Sequence, residues 1–309
     1  MHQVDLVISE RLTTEVPLVR EVTQYIISAG GKRLRPALVL LFSGALGNTH
    51  TDRFTLAAVV EFIHTATLLH DDVVDESTLR RGRPTANEAF GNASSVLVGD
   101  FLYSRAFQMM VDVNKMLVME VLSDATNVIA EGEVLQLMNM RDASLDEAAY
   151  LRVIRSKTAK LFEASARLAP ILSNASSAIE AACATYGQAL GTAFQIIDDV
   201  LDYEGSTDVL GKNLGDDLRE GKVTLPIICA LKTAKESDKV IIRNAIEGGD
   251  LTHLSEILAI IRSTGALETA RQTAAEEAQR AISAAQQLPT NPYTSALREL
   301  AAGLLERRT

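Results

Sequence analysis

The spacing of apolar residues constrains the fold of this chain more than any other feature. Within residues 118–140, apolar side chains recur mainly at three- and four-residue intervals, the pattern of a helix with one buried face. Residues 57–69, 151–168, 181–201 and 266–285 show the same pattern. Strand-like alternation is hard to find, and no Asn-Gly or Asp-Gly turn joins two alternating runs. The sequence therefore predicts an all-α protein of about a dozen helices.

Glycine and proline residues mark the ends of these helices. Turn signals fall at residues 30–31, 47–48, 82–84, 91–92, 205–221 and 289–292. No low-complexity linker or shift in composition divides the chain. We therefore expect a single all-helical domain over residues 1–309.

Charge and cysteine content narrow the possible functions. The net charge is −10, which argues against a nucleic-acid partner because phosphate backbones select basic surfaces. An anionic ligand must then be held by a local cationic cluster or by metal ions. The two cysteines, Cys183 and Cys229, form no framework, which favours a reduced, cytoplasmic protein. The start of the chain shows no signal-peptide pattern, and the apolar run at 37–42 is too short to span a bilayer, so no transmembrane segment is expected.

Two acidic clusters with the pattern D-D-x-x-D each follow an apolar helical run. On a helix, Asp71 and Asp75 lie one turn apart on the same face, and Asp198 and Asp202 repeat this spacing. Like charges at this spacing repel each other unless a cation lies between them. Mg²⁺ suits such a site, because it takes one or two protein carboxylates together with water and substrate phosphates.

A single acidic cluster is more often a solvated helix end than a metal site. Two copies, each ending an apolar helix, favour the metal-site interpretation. We expect them to face each other across a helical bundle, with an anionic ligand and Mg²⁺ between them.

Basic residues occur beside these clusters. Lys32 and Arg35 follow the Gly30-Gly31 turn at a helix start, a place that favours phosphate. Arg80 and Arg81 follow the first acidic cluster, where charge balancing is the simpler explanation. His64 lies two helical turns before Asp71 and is either a core histidine or a phosphate ligand. Together, these acids and bases predict a diphosphate site.

The chain resembles the trans-type polyprenyl diphosphate synthases over nearly its whole length. The resemblance rests on GGKRLRP at 30–36, HTATLLHDDVVDES at 64–77, RRG at 80–82, SKTA at 156–159 and QIIDDVLDY at 195–203. Within this family the sequence is most similar to the bacterial octaprenyl diphosphate synthases of ubiquinone side-chain synthesis. The resemblance implies an all-α isoprenoid synthase bundle around a deep central cavity, usually in a homodimer.

The resemblance also implies roles for individual residues. The Mg²⁺ ligands, for about two to three ions bound with diphosphate, would be Asp71, Asp72, Asp75, Asp198, Asp199 and Asp202. Isopentenyl diphosphate would be held by Lys32, Arg35, His64 and Arg81. The allylic diphosphate, farnesyl or similar, would be contacted by Arg80, Lys157, Thr158, Gln195, Lys212 and Lys222. The catalytic set would be Asp71, Asp75, Lys157 and Asp198.

Residues just before the first acidic cluster are expected to set product length. Ala66 and Thr67 occupy positions where, in the family, an aromatic residue closes the pocket and gives short products. Small residues here imply a medium-to-long product, with octaprenyl diphosphate expected and heptaprenyl and nonaprenyl products left open. The product would be delivered to membrane enzymes.

Two other functions are compatible with parts of this pattern. A class I terpene cyclase shares the first acidic motif, but it usually carries a different second metal motif and an aromatic-lined pocket. Aromatic residues make up only 5% of this chain, and tryptophan is absent. A non-catalytic subunit of a heteromeric synthase would be expected to lack one acidic cluster or the basic turn, and all of them are present here.

Overall fold

The computed structural model describes residues 1–204, 215–249 and 252–306 and is almost entirely helical. Its α-helices, in chain order, are α1 (His2–Arg11), α2 (Pro17–Ser28), α3 (Leu34–Ala45), α4 (Asp52–Val74), α5 (Ala86–Phe90), α6 (Asn92–Val113), α7 (Met116–Met138), α8 (Glu147–Ile154), α9 (Lys160–Leu172), α10 (Ser177–Glu204), α11 (Asp216–Glu220), α12 (Leu225–Thr233), α13 (Glu236–Gly248), α14 (Leu254–Ser263), α15 (Ala266–Ala285) and α16 (Pro292–Gly303). A short 3₁₀ turn, Leu304–Glu306, follows α16. The all-α prediction is confirmed.

The segments with helical periodicity lie inside the long helices. Residues 57–69 belong to α4, 181–201 to α10 and 266–285 to α15. The apolar side of α4 is fully buried at Phe62, Ile63 and Leu69. Burial of such faces supplies most of the stability of helices in water, since helical propensity alone is weak.

The structure departs from the sequence-based expectation at three places. The helix predicted over 151–168 is interrupted by a π-helical turn, Arg155–Ala159, between α8 and α9. The predicted loop 205–221 contains the short helix α11 within its described part. A two-stranded hairpin forms from β1 (Leu79–Arg80) and β2 (Arg83–Pro84), which no alternating pattern indicated.

The hairpin forms because its two-residue turn has the backbone that twisted antiparallel strands require. Arg81 and Gly82 have φ values of 54° and 73°, and both positive values are typical of a type I′ turn. The hydroxyl of Tyr25 on α2 donates to the carbonyl of Pro84 at 2.7 Å. Tertiary contacts therefore hold strands that are too short to be recognised in the sequence.

The described residues fall into two compact units, each built from separate stretches of chain. The first unit comprises residues 1–126, 161–184 and 286–297. Its centre is α4, which packs against α6, α3 and α1. The first acidic motif lies at the end of α4, so the best-packed helix of this unit carries it.

The second unit comprises the described parts of residues 127–160, 185–285 and 298–309. In this unit α15 packs against α12 and α14, and α8 packs against the π-helical turn and α12. The second acidic motif lies near the end of α10. The expectation of one domain over 1–309 stays a prediction.

Two further findings concern the whole described chain. Cys183 and Cys229 are both buried and unpaired. Among the described helices, none combines the length and the apolar character that crossing a bilayer requires.

Candidate functional site

The first acidic motif lies at the C-terminal end of α4. Helix α4 ends at Val74, and the N–H of Asp75 donates to the carbonyl of Asp71 at 2.8 Å, which preserves the predicted one-turn spacing. Asp71 and Asp75 are partly exposed, whereas Asp72 is completely buried. Because the C-terminal end of a helix carries partial negative charge, carboxylates gathered there are unfavourable without nearby cations.

Arg80 neutralises the buried Asp72. Its Nε lies 3.1 Å from both carboxylate oxygens of Asp72, and its Nη2 lies 2.7 Å from Oδ1. This forked geometry is typical of strong arginine–carboxylate pairs. The side chain of Asp72 is 0% exposed and that of Arg80 is 25% exposed. Asp72 therefore orients Arg80, while the outer two aspartates remain accessible.

A cationic cluster lies in the same unit. Arg35, Arg80 and Arg81 all act electrostatically on His64. Burial, reinforced by these arginines, lowers the pKa of His64 well below its usual value, so the imidazole is neutral near pH 7. The guanidinium of Arg35 lies 4.3 Å from the ring centre of Phe162. Three of the four residues predicted for isopentenyl diphosphate are thus brought together, and the fourth, Lys32, is exposed in the preceding turn.

The glycine turn before α3 shapes this cluster. A Cβ on Gly31 would lie 2.9 Å from Nη2 of Arg81, so only glycine lets the guanidinium pack this closely. Arg33, the N-cap residue of α3, has a positive φ of 49° and pairs with Glu61 on α4, Nε to Oε1, at 3.3 Å. Burial raises the pKa of Glu61, while Arg33 opposes that shift most among the nearby charges. These contacts fix the turn that carries Lys32 and Arg35.

The second acidic motif repeats the arrangement of the first. Asp198 and Asp202 are partly exposed, whereas Asp199 is 4% exposed. The hydroxyl of Tyr150 donates to Oδ2 of Asp199 at 2.6 Å, and Nε2 of Gln195 donates to Oδ1 at 2.7 Å. Both motifs therefore direct their middle aspartate into the protein and their outer pair outward.

Burial dominates the ionisation of this buried pair. It raises the pKa of Asp199 well above the usual aspartate range, with Asp217 adding to the shift. It also raises the pKa of Tyr150, next to Asp199, so the phenol keeps its proton.

The π-helical turn presents Lys157 and Thr158. Nζ of Lys157 pairs with Oε2 of Glu133 at 2.6 Å, and the Thr158 hydroxyl donates to Oε1 of Gln195 at 2.9 Å. A Cβ on Gly132 of α7 would lie 2.8 Å from the backbone nitrogen of Lys157, so α7 and the turn approach closely because this residue is glycine. Single π-turns occur frequently at functional sites.

Other predicted residues have separate positions. Lys222 follows α11, where its N–H donates to the carbonyl of Asp217 at 2.8 Å and its Nζ pairs with Glu220 at 2.6 Å. Lys212 lies outside the described residues. Ala66 is 0% exposed on α4, and the Thr67 hydroxyl donates to the carbonyl of His64 at 2.7 Å.

The donor chemistry of the outer aspartates fits Mg²⁺. Each motif offers two partly exposed carboxylates one helical turn apart, and carboxylate oxygen is the protein ligand that Mg²⁺ prefers. In the described part of the chain, no group of three or more His, Cys, Asp or Glu side chains is gathered to hold a metal ion by itself. A bound Mg²⁺ would therefore need additional oxygen ligands from water or a phosphate.

The helical architecture and the paired aspartate motifs define the class of helical isoprenoid synthases. The family model for polyprenyl synthetase matches residues 16–263. The octaprenyl diphosphate synthase of Escherichia coli (strain K12) is 52% identical over 308 residues, covering 99% of this chain and 95% of that protein. The all-trans-nonaprenyl-diphosphate synthase (geranyl-diphosphate specific) of Rhodobacter capsulatus is 45% identical over 304 residues, covering 98% of this chain and 93% of that protein.

A solved structure is similar as well. The polyprenyl synthase of Caulobacter crescentus CB15, complexed with calcium and isoprenyl diphosphate, has a TM-score of 0.97 and 43% identity, covering 100% of this chain and 95% of that one. The chain belongs to the polyprenyl synthetase family. It is a prenyltransferase of isoprenoid biosynthesis.

Proposed function

We propose that this chain condenses isopentenyl diphosphate head-to-tail onto an allylic diphosphate, farnesyl or similar, to give octaprenyl diphosphate. The observation that carries the proposal is the repeated site architecture: two D-D-x-x-D motifs with their outer carboxylates accessible and their middle carboxylates anchored inside. The 52% identity to the octaprenyl diphosphate synthase of E. coli supports the product. The nonaprenyl relative at 45% identity keeps a longer product as the second candidate.

The cationic cluster around His64 is assigned to isopentenyl diphosphate. Arg35 and Arg81 supply positive charge, and Lys32 adds an ammonium from the exposed turn. His64, being neutral near pH 7, contributes a hydrogen bond rather than a further charge. Guanidinium groups match phosphate oxygens in pairs, which orients the substrate as well as binding it.

The outer aspartates Asp71, Asp75, Asp198 and Asp202 are assigned to Mg²⁺. Asp72 and Asp199 are the buried middle aspartates of the two motifs. Bound Mg²⁺ would offset the negative charge that develops on a departing diphosphate. The solved Caulobacter relative, whose structure contains calcium and isoprenyl diphosphate, supports a divalent cation and a prenyl diphosphate on this fold.

The protein's own cations are assigned to the allylic diphosphate. Arg80, Lys157 and Lys222 stabilise the charge that appears on the leaving diphosphate as its C–O bond breaks. Arg80 is held for this task by Asp72, and Lys157 by Glu133. Lys212 is assigned here from the resemblance alone.

Thr158 and Gln195 are neutral groups, and we assign them to the allylic end of the substrate. Their dipoles interact with the cation that remains after diphosphate departs, without reacting with it. The isopentenyl double bond then attacks the cation and a proton leaves, with the released diphosphate as its acceptor. Water must be kept away, since it would trap the cation.

The residues before the first motif are assigned to product length. Ala66 places a small side chain at a fully buried position of α4. An extended octaprenyl tail is on the order of 30–40 Å, the length of a helix of roughly 20–25 residues. A small residue at position 66 lets the tail grow past it.

A homodimer is the assembly we propose. Large apolar side chains remain exposed on α6 and α7, and the most exposed are Leu97, Val111, Met116, Val134, Leu137 and Met138. Exposed apolar side chains in such numbers are typical of interfaces. Wild-type protein should elute as a dimer in light-scattering chromatography, and Leu97→Glu should shift it toward monomer; a monomeric wild type would contradict the assembly.

The remaining assignments come from the sequence. We place the enzyme in the cytoplasm, because Cys183 and Cys229 are unpaired. Its product would supply the side chain of ubiquinone through membrane enzymes that accept a prenyl diphosphate.

One assay separates the candidate functions. Purified protein is incubated with isopentenyl diphosphate, farnesyl diphosphate and Mg²⁺, and the dephosphorylated products are separated by chromatography with mass detection. We expect octaprenol, loss of turnover in Asp71→Ala, and retained turnover in Asp112→Ala, an exposed aspartate on α6. A cyclised hydrocarbon would favour a terpene cyclase, and the absence of any product from the wild-type protein would favour a non-catalytic subunit.

A further inference from the structure

A chain of hydrogen bonds in the second unit begins at Tyr150, a buried residue with no assigned role. The Tyr150 hydroxyl donates to Oδ2 of Asp199 at 2.6 Å, and Nε2 of Gln195 donates to Oδ1 of Asp199 at 2.7 Å. The Thr158 hydroxyl donates to Oε1 of Gln195 at 2.9 Å. Tyr150 lies on α8, Asp199 and Gln195 on α10, and Thr158 in the π-helical turn that directly follows α8.

The order of donors fixes the orientation of the two neutral groups. Because Oδ1 of Asp199 accepts from Gln195, the amide must turn its NH₂ toward the aspartate and its oxygen toward Thr158. The Thr158 proton is then committed to Gln195, which leaves the lone pairs of its hydroxyl oxygen for the substrate.

Tyr150 supplies the second partner of Asp199. With the tyrosine hydroxyl present, both oxygens of this 4% exposed side chain have hydrogen-bond partners. Without it, Oδ2 would be a buried acceptor with its partner missing, an unfavourable state that the side chain would relieve by rotating. Rotation of Asp199 would release the amide of Gln195, and with it the hydroxyl of Thr158.

We propose that Tyr150 is a positioning residue for prenyl transfer: through Asp199 it fixes Gln195 and Thr158 in the orientation that faces the allylic cation. The proposal rests on the proposed function, because it uses the assignment of Gln195 and Thr158 to the allylic substrate. It also distinguishes Asp199 from its neighbours, since this aspartate acts through hydrogen bonds to protein groups.

Tyr150→Phe removes the hydroxyl and keeps the ring that packs in the core. We expect kcat to fall about tenfold, the scale on which second-layer partners act, with both KM values and the half-saturating Mg²⁺ concentration changed less than about twofold. Thr192→Val is the matched control: it removes a buried hydroxyl from α10 that donates to the carbonyl of Gln188 within the same helix. This control should keep the wild-type kcat.

A double variant tests the chain directly. If Tyr150 acts through Asp199 and Gln195 on Thr158, then adding Tyr150→Phe to Thr158→Val should change kcat by less than about twofold. A wild-type kcat in Tyr150→Phe would overturn the proposal. So would multiplicative effects in the double variant, or a loss expressed in the Mg²⁺ dependence.

A folding control keeps the test decisive. Thermal melts accompany each variant, and if Tyr150→Phe does not fold, Gln195→Glu replaces it. The new carboxylate lacks the NH₂ that Gln195 offers to Asp199, so about a tenfold lower kcat is again expected, and a wild-type kcat would overturn the proposal. Failure of the proposed function is recognised separately, because the wild type itself would then make no polyprenyl product.

Discussion

Replacing Arg80 by alanine should destabilise the protein, whereas replacing its neighbour Arg81 should not. Arg80→Ala removes the partner of Asp72, a carboxylate that is 0% exposed and receives three hydrogen-bond contacts from the guanidinium. Breaking a buried ion pair from one side lowers the free energy of unfolding by about 3–5 kcal/mol. Because the Arg80 side chain is 25% exposed, we expect the lower end, about 3 kcal/mol.

Arg81 provides the internal control. It is an exposed residue whose guanidinium packs on Gly31, so Arg81→Ala should change the free energy of unfolding by less than about 0.5 kcal/mol. Both variants should lose prenyl-transfer activity, because both arginines are assigned to substrate diphosphates. We therefore expect Arg81→Ala to lose activity at nearly wild-type stability, whereas Arg80→Ala should lose both.

The assay is thermal and urea unfolding of the ligand-free proteins, since bound substrate would stabilise the folded state unequally. A loss of about 3 kcal/mol corresponds to a melting temperature lower by roughly 6–12 °C. Arg80→Lys should lie between wild type and Arg80→Ala, because lysine keeps the charge but not the fork. Equal stability of Arg80→Ala and Arg81→Ala would refute the reasoning that Asp72 is anchored by Arg80.

Further predictions concern a close approach, product length and pH. Gly132→Ala places a Cβ 2.8 Å from a backbone nitrogen of the π-helical turn, so we expect at least about a tenfold loss of kcat. Gly303→Ala, with open space around it, should keep wild-type kinetics. Equal kinetics in the two variants would contradict the importance of this close approach. Ala66→Phe should shorten the product on chromatography, with the melting temperature recorded because overpacking a buried site destabilises by roughly 1–3 kcal/mol; unchanged product length would show that Ala66 does not limit the tail. The lowered pKa of His64 means that the unfolded chain binds a proton that the folded chain does not, so stability should fall as the pH drops below about 6.5. His64→Gln should flatten that part of the profile. An unchanged slope in His64→Gln would contradict a neutral imidazole in the folded protein.

The helical part of the fold was readable from the sequence because its signal is local. The apolar residues of a long amphipathic helix recur at three- and four-residue intervals, so the predicted segments 57–69, 181–201 and 266–285 lie inside α4, α10 and α15 and end within five residues of their bounds. The hairpin was not, because two-residue strands carry no pattern and tertiary contacts such as Tyr25 to Pro84 hold them. The π-helical turn was not predicted either, because a helical turn with one extra residue contains the same types of residue as the α-helices beside it.

The candidate site was predictable to the same extent. Helical spacing identified Asp71 with Asp75 as one pair on a shared face. It did not show that Asp72 turns inward, because Arg80 reaches it through the hairpin. Tyr150 carries no sequence signal of its own, since its partner Asp199 is 49 residues away. Long-range polar contacts of this kind become visible only when the chain is folded.

The direct test of the account is whether diphosphate binding requires Mg²⁺ and both acidic motifs. Inorganic diphosphate is titrated calorimetrically into wild-type protein, Asp71→Ala and Asp198→Ala, with and without Mg²⁺. We expect tight binding to the wild type with Mg²⁺, weak binding without it, and weak binding to either variant under both conditions. Mg²⁺-independent binding, or variants that bind as tightly as the wild type, would contradict the claim that the outer aspartates hold a diphosphate through magnesium.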